Sequence, residues 1–506
     1  MTGLLILVTF SLHAQQFNVM PGSPSDLSTE GQQFSRADSC FNAVYPITMD
    51  LRTLNGEKHG LKVGHPVKQQ DLLSFNNQKW MFNVAPVYHF QGGLGTQSTS
   101  EVGGGFRLRT GQAKWSFEMN GIWGASRMPP YISTYIDSFE VIPGTGRAKQ
   151  LEDDLVGWRS RRIQFIWTPS RHFQLQAGRG KNFIGNGYRS LLLSYNPRSS
   201  PYLRLTTRVW KMQYTNLFLK LEHINGASGQ KEKYQGKYAA MHFLDWHIGR
   251  ALSLGIFEAV VWQHEDSEGI RGFDINYLNP FIFYRPVEFS LGSPDNVLMG
   301  LNVRIMTGKK SYWYGQACLD EFFFQEIRKW DGWSSNKQGV QMGWRVVDVL
   351  GKKGLSVRFE ANYVRPYTYT HVVSTQNYTH FNEALAHPLR ANFVEGLFRL
   401  QHISEKWMQT VHVSMALYGD DSTGTHMGRN LFIPYPDTRG NHVAQGIKTG
   451  LVFCEVTCRK WIGEGRRTNA FASLVWRMEA TAAEHKDYAN ISVGISTWFP
   501  SRYLDF

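Results

Sequence analysis

The chain has 506 residues, a formal net charge of +13, and is 14% aromatic and only 19% charged. Beyond the N-terminus no window supplies the roughly eighteen consecutive apolar residues of a transmembrane helix, which excludes a helical membrane protein. The basic balance points to an anionic partner, but Lys and Arg are scattered among carboxylates rather than clustered, which argues against nucleic acid.

The opening stretch MTGLLILVTFSLHAQQ carries a short apolar run, Leu4 to Leu12, followed by the small Ala14. It predicts an export signal over residues 1–14, cleaved before Gln15, and hence delivery to the cell envelope. No Cys follows the run, which argues against a lipoprotein anchor. Residues 15–79 are polar with scattered apolar positions. They predict an extension that is either periplasmic or associated with the lumen of a barrel formed by residues 80–506.

From residue 80 to 506 the chain alternates apolar and polar residues with a period of two. In LSVRFEANYV, Leu355, Val357, Phe359, Ala361 and Tyr363 oppose Ser356, Arg358, Glu360 and Asn362. KWSFEMN, RIQFIW, LFLKLE and TVHVSMAL repeat the pattern. Such alternation marks strands with one apolar and one polar face. Roughly eighteen strands are expected. They begin near Trp80, Gly103, Ala113, Arg161, Phe173, Thr207, Leu217, Tyr238 and Leu252, then near Val297, Ser311, Gly339, Leu355, Asn392, Trp407, Gln445, Asn469 and Asn490.

Short links at Gly111, Pro169, Thr215, Gly249, Thr307, Leu350 and Ser404 alternate with long ones. The long ones run about Ala125 to Ser160, Phe183 to Thr206, His264 to Asn296, Phe323 to Gln338, Tyr367 to Ala391 and Asp420 to Ala444. Tight turns at one end and long loops at the other predict an all-β fold: a transmembrane antiparallel up-and-down β-barrel with short periplasmic turns, long extracellular loops and an outer-membrane location. The apolar face then meets hydrocarbon and the polar face the lumen. The mixed charges Lys220 with Glu222, Arg358 with Glu360, and Arg477 with Glu479 predict a lumen crossed by ion pairs.

No catalytic signature is present: there is no G-x-S-x-G elbow, H-E-x-x-H helix or Walker-type loop. GRGKNFIGNG matches no phosphate cradle, and its glycines suit strand-end turns. The carboxylate pairs Asp153-Asp154 and Asp320-Glu321 read as solvated loop acids, not as a glycosidase pair. His371, His380 and His387 are too widely spaced to favour a metal over hydrogen bonding. Cys454 and Cys458 lie four residues apart on one expected strand, about 13 Å, too far for a disulfide. No enzyme activity, cofactor or metal is expected.

The long loops contain NPFIFYRPVEFSLGSPDN, DEFFFQEIRKWDGWSSNK and YVRPYTYTH, in which aromatics that stack on sugars accompany Asn, Asp and Arg. The strings GNGYRSLLLS, NPFIFYRPVEFSLGSPDN, YGQACLDEF, RPYTYTH and LAHPLRANFVE, in this order, resemble the Bacteroidetes outer-membrane family of capsule-assembly Wzi-like and gliding-motility RemB-like proteins. The ending SRYLDF is similar to theirs, with a C-terminal aromatic of the kind read by the barrel-insertion machinery. The resemblance spans about Gln174 to Phe506. It implies an eighteen-stranded outer-membrane barrel that binds surface or capsular polysaccharide without chemistry and supports capsule assembly, attachment or gliding. The N-terminal part departs from the Wzi pattern, because no helical bundle is visible before Trp80.

The candidate glycan-binding residues are Tyr188, Arg189, Tyr284, Arg285, Glu288, Asp295, Asn296, Asp320, Arg365, Tyr367, Tyr369 and His371. Aromatics would stack, Arg would meet acidic sugar groups, and Glu288 would orient Arg or accept from hydroxyls. Outer-membrane lipid and lipopolysaccharide are the expected surroundings. Two other readings remain: a porin-like oligosaccharide channel, and a structural subunit of an envelope secretion or gliding machine with protein partners.

Overall fold

The computed structural model describes residues 16–19, 43–45, 47–50, 73–76, 80–266, 269–279, 295–321, 331–422, 424–463, 468–497 and 502–506. The expected export signal lies outside them. Eighteen antiparallel strands form one ring. In chain order they are β1 (Met81–Gly95), β2 (Thr99–Gly111), β3 (Trp115–Arg127), β4 (Val156–Trp167), β5 (Phe173–Gly180) and β6 (Ser200–Val209). Then come β7 (Met212–His223), β8 (Gln235–Ile248), β9 (Leu252–Gln263), β10 (Asn296–Met306), β11 (Ser311–Asp320) and β12 (Gln338–Val347). The ring is completed by β13 (Leu355–Val364), β14 (Phe393–Ile403), β15 (Trp407–Asp420), β16 (Ile447–Ile462), β17 (Thr468–Ala480) and β18 (His485–Ser496). Each strand pairs with its sequence neighbours, and β18 closes on β1 from Asn490↔Gly95 to Ser496↔His89. Closure leaves no open sheet edge, the condition for strands to cross hydrocarbon.

Every strand read from the alternation is present. β6 begins at Ser200 rather than near Thr207 and β4 at Val156 rather than near Arg161, and one short link falls elsewhere than expected. β6 and β7 are joined at Trp210-Lys211, with Trp210 at φ 54°, so Thr215 lies inside β7 and not in a link. The long-loop end also has two short connections, residues 96–98 and 481–484, flanking the seam.

The two faces separate as the period-2 pattern requires. On β13, Ser356, Glu360 and Asn362 are buried in the lumen while Phe359 and Tyr363 are exposed. Trp313, Trp344, Phe359 and Phe398 oppose one another in turn across β11–β14, with ring centroids 6.1, 6.1 and 5.0 Å apart. They form an outward aromatic row of the kind that lines membrane barrels.

One sector inverts the expectation. Leu217, Leu219 and Leu221 of β7, with Met241, Phe243, Phe257 and Val261 of β8 and β9, join a buried core with Leu191, Leu192 and Tyr369. These wall residues therefore face the lumen, and the exposed Lys220 faces outward. Lys220 and Glu222 are thus no lumen ion pair, because inserted chain gives this wall an apolar partner. Arg477 and Glu479 of β17 do pair, at 2.5 Å.

Two long-side loops, residues 181–199 and 365–392, supply that inserted chain. Gln316 of β11 grips the first: its Oε1 accepts from Leu191 N (2.8 Å) and its Nε2 donates to the Ile184 carbonyl (3.1 Å). Glu360 of β13 accepts from Tyr188 N (2.7 Å) and Arg189 N (3.1 Å). The glycines of GNG permit this approach: a Cβ at Gly187 would stand 2.6 Å from Glu360 Oε2. On the wall, a Cβ at Gly300 would run into Leu192, and one at Gly339 would meet Leu191 at 3.3 Å. The buried Lys237 of β8 holds the second loop, donating to the Asn377 carbonyl and Oδ1, both at 2.8 Å. Tyr369 and Tyr378 hydroxyls donate to the Leu191 and Leu192 carbonyls at 2.8 and 2.7 Å, tying one loop to the other.

Three further pieces join this filling. Val44-Tyr45 pairs with Phe183-Ile184, and the lumen-facing Arg204 donates to the Tyr45 carbonyl (3.2 Å). A helix, α1 (Pro130–Phe139), lies in the β3–β4 connection, where the sequence suggested only a loop. Proline in its first turn and Glu140 at φ 60° bound it. Its Ile132 and Ile136, four residues apart on one face, pack on lumen-facing Val87, Ile122 and Trp158. Finally, the C-terminal residues 502–506 turn back from the end of β18. Phe506 packs 5.0 Å from Tyr135 of α1, and the Tyr131 hydroxyl donates to the Leu504 carbonyl (3.1 Å). The terminal aromatic therefore sits inside the barrel, ten residues past the last strand (496 to 506), rather than on it.

Gly300→Leu should overpack the site of Leu192, costing on the order of 1–3 kcal/mol. Hydrogen–deuterium exchange of residues 189–194 should accelerate strongly in the variant, while exchange in β14–β16 stays unchanged.

Candidate functional site

The residues singled out from the sequence mostly build the filling rather than line an open surface. Arg189 is 0% exposed. Its guanidinium pairs with Glu395 of β14 (2.9 Å) and Asp505 of the tail (3.0 Å). Asp505 also contacts His412 Nε2 (2.6 Å), and Glu395 contacts His387 Nε2 (2.8 Å). Burial alone would push the Asp505 carboxyl up, but Arg189 and His412 outweigh it and hold it well below the usual carboxylate range. Tyr188 adjoins this hub: its hydroxyl donates to Asp505 (3.2 Å), and the Arg399 guanidinium lies 4.8 Å from its ring centroid.

Asp295 accepts from Arg271 (2.8 Å) and the Tyr277 hydroxyl (2.5 Å), and Asn296 donates to the Gln376 carbonyl (2.9 Å). Asp320 accepts from Tyr369 N (2.6 Å), with Lys337 Nζ at 3.5 Å. Tyr369 is fully buried, and the Tyr367 hydroxyl donates to the His426 carbonyl (2.9 Å). Burial and the nearby Lys337 push the His371 imidazole down to about 4, so it is neutral at pH 7. His380 accepts from Glu222 N (3.0 Å), so the three loop histidines serve separate hydrogen bonds. Among the described residues no group of three or more His, Cys, Asp or Glu is placed to hold a metal. Tyr284, Arg285 and Glu288 lie outside the described residues.

Arg365 leads to a different, accessible surface. Its Nη2 reaches the Asn441 carbonyl at 3.5 Å, at the junction of residues 331–337 with residues 433–442. Backbone bonds join the two segments: Ser334 N to Thr438 O (2.9 Å), Gly440 N to Asp331 O (2.8 Å) and Asn441 N to Gly332 O (2.9 Å). Gly332, at φ 70°, allows the approach, since a Cβ there would stand 2.6 Å from Asn441 N. On this platform Trp333 Nε1 donates to Asp437 (2.6 Å), and the Arg439 guanidinium, paired with Asp331, lies 5.5 Å from the Trp333 ring centroid. The Arg439 side chain is 52% exposed. Beside them the Tyr435 hydroxyl donates to Glu321 (2.5 Å), with Lys337 4.4 Å from its ring. An indole, a phenol, a guanidinium, carboxylates and Asn441 thus share one face, a set able to stack on sugar rings and hydrogen-bond hydroxyls and acid groups. Trp333 lies in a loop whose composition stood out in the sequence, whereas YPDTRGN did not stand out, its partner lying about 100 positions upstream. Only a cue for loop–loop pairing would have found it.

No protein-family model matches the chain, and no curated protein matches it in sequence. Among solved structures, the chain is similar to Wzi, described as an outer membrane protein involved in group 1 capsule assembly in Escherichia coli and a carbohydrate-binding β-barrel. The TM-score is 0.58 at 12% identity, over 95% of this chain and 99% of that one. A weaker similarity links it to OprD from Pseudomonas aeruginosa, with TM-score 0.45 and 9% identity over 84% of this chain and 95% of that one. The fold is that of a Wzi-like outer-membrane barrel.

Arg189→Ala should leave Glu395 and Asp505 buried without their cation and destabilise the barrel by about 3–5 kcal/mol. Heating in detergent, followed by loss of strand signal, checks this. Because the folded-state pKa of Asp505 is depressed, its contribution is complete above the ordinary carboxylate range near about 4 and is lost as pH falls below it. The Tm gap between wild type and Asp505→Asn should accordingly persist at pH 5 and narrow in stronger acid.

Proposed function

We propose that this protein holds a polysaccharide at the cell surface without chemical conversion. The carrying observation is the Trp333–Arg439–Tyr435 platform, with half-buried Trp333 and Tyr435 beside the exposed Arg439, built on the side of the barrel where the long loops lie. Arg439, Arg365 and the overall charge of +13 suit an acidic glycan. Capsule assembly and carbohydrate binding are stated of Wzi, whose barrel this one resembles, and the loop motifs resemble the Bacteroidetes Wzi-like and RemB-like proteins. Together these support a role in retaining capsule, with attachment or gliding as the cellular outcome, after export by residues 1–14. Arg365 adjoins the platform, and Tyr188, Arg189 and Tyr369 hold the scaffold beneath it. A porin-like role would need a continuous lumen. The loops clamped by Gln316, Glu360 and Lys237 weigh against that reading.

The test is capture of native envelope polysaccharide by the detergent-solubilised protein. Trp333→Ala with Arg439→Ala should weaken retention at least about tenfold, as expected for loss of a stacking surface and a charged hydrogen bond worth ~1.5 kcal/mol or more. Full retention by the folded double variant would remove this assignment.

A further inference from the structure

The described start of the connection after β9 lies against the outward face of the strands. Glu265-Asp266 pairs with Gly269-Ile270, and Ile275–Leu278 forms a 3-10 turn capped by Asp274, which accepts from Asn276 N (3.0 Å). This segment lies on the outer wall. Tyr277 packs with Ala240, Val260 and Trp262, whose side chains alternate with the lumen-facing residues of β8 and β9. Trp262 Nε1 donates to the Gly272 carbonyl (3.1 Å), and the Phe273 ring lies 5.5 Å from Trp262, 5.6 Å from Tyr238 and 6.0 Å from Phe218. Those positions on a barrel otherwise meet lipid.

The wall below needs such cover. Asn216↔His242 and His242↔Glu258 are register partners on the outward face of β7–β9, and all three are buried. Polar groups on the lipid face are costly, so this sector is sheltered from hydrocarbon. Arg271 of the segment pairs with Asp274 and with Asp295, just before β10, both at 2.8 Å. Pointing away from the wall remain Ile270 (76% exposed), Ile275 (74%) and Leu278. On neighbouring β10 the outward Leu301 and Ile305 are likewise exposed.

We propose that residues 269–278 form a flap seated in the outer leaflet, with Ile270, Ile275 and Leu278 against lipid acyl chains and the opposite face, Phe273 and Tyr277, replacing lipid over β8 and β9. The occupant is lipid rather than a protein partner. The outward side is led by the exposed aliphatic Ile270, Ile275 and Leu278, and it lies over wall positions that elsewhere on a barrel meet lipid.

A photo-crosslinking benzophenone residue placed at Ile275 tests this in the full-length protein reconstituted into phosphatidylethanolamine–phosphatidylglycerol vesicles. Parallel probes go at Leu301 on β10 and Arg439 on the platform. The expected result is a mass gain of one lipid at Ile275 with a yield matching Leu301. A yield as low as at Arg439 would overturn the proposal. So would capture of a protein in place of lipid when the same variant is irradiated in native envelopes. Heat-modifiable mobility on a gel confirms that each variant is a folded barrel. The outcome does not depend on glycan binding.

Discussion

Inside hydrocarbon no water is available to satisfy peptide groups, and this constraint shapes the whole chain. The eighteen strands meet it by closing, with β18 paired to β1. Closure in turn dictates the period of two. Phe359 and Tyr363 face lipid because Glu360 and Asn362, one residue away, must face the lumen.

A ring of this size leaves an interior that its own wall side chains do not fill, and the protein fills it with chain. Inserted backbone carries polar groups that need partners, and the wall provides them in Gln316, Glu360 and Lys237. Glycines at 187, 300 and 339 make the close approach possible. Arg189 gathers loop, wall and C-terminal tail at one buried charge, satisfied by Glu395 and Asp505. Such a hub adds little net stability over an apolar core, yet its partners cannot be separated cheaply, so it defines how the pieces fit. Where the filling is apolar, as beside β7–β9, the wall turns its leucines inward.

This explains what could be read from the sequence. Strand count and loop alternation were legible because both are written in local periodicity. The turn at Trp210-Lys211 was not, since neither residue is a usual turn former. The face of β7 was misassigned because alternation tells which residues share a face and not which face is inside. In the candidate site, Tyr369 and Arg189, read from the sequence as glycan contacts, are buried fasteners of the filling. The platform of Trp333, Asp437 and Arg439 arises from two segments that meet only in the folded chain.

Function, on this account, belongs to the surface over a filled barrel and not to a passage through it. Single-channel recording of the purified protein in planar bilayers tests that directly. The account predicts a conductance indistinguishable from that of the bare bilayer, whereas steady, stepwise ohmic currents from the wild-type protein would contradict it.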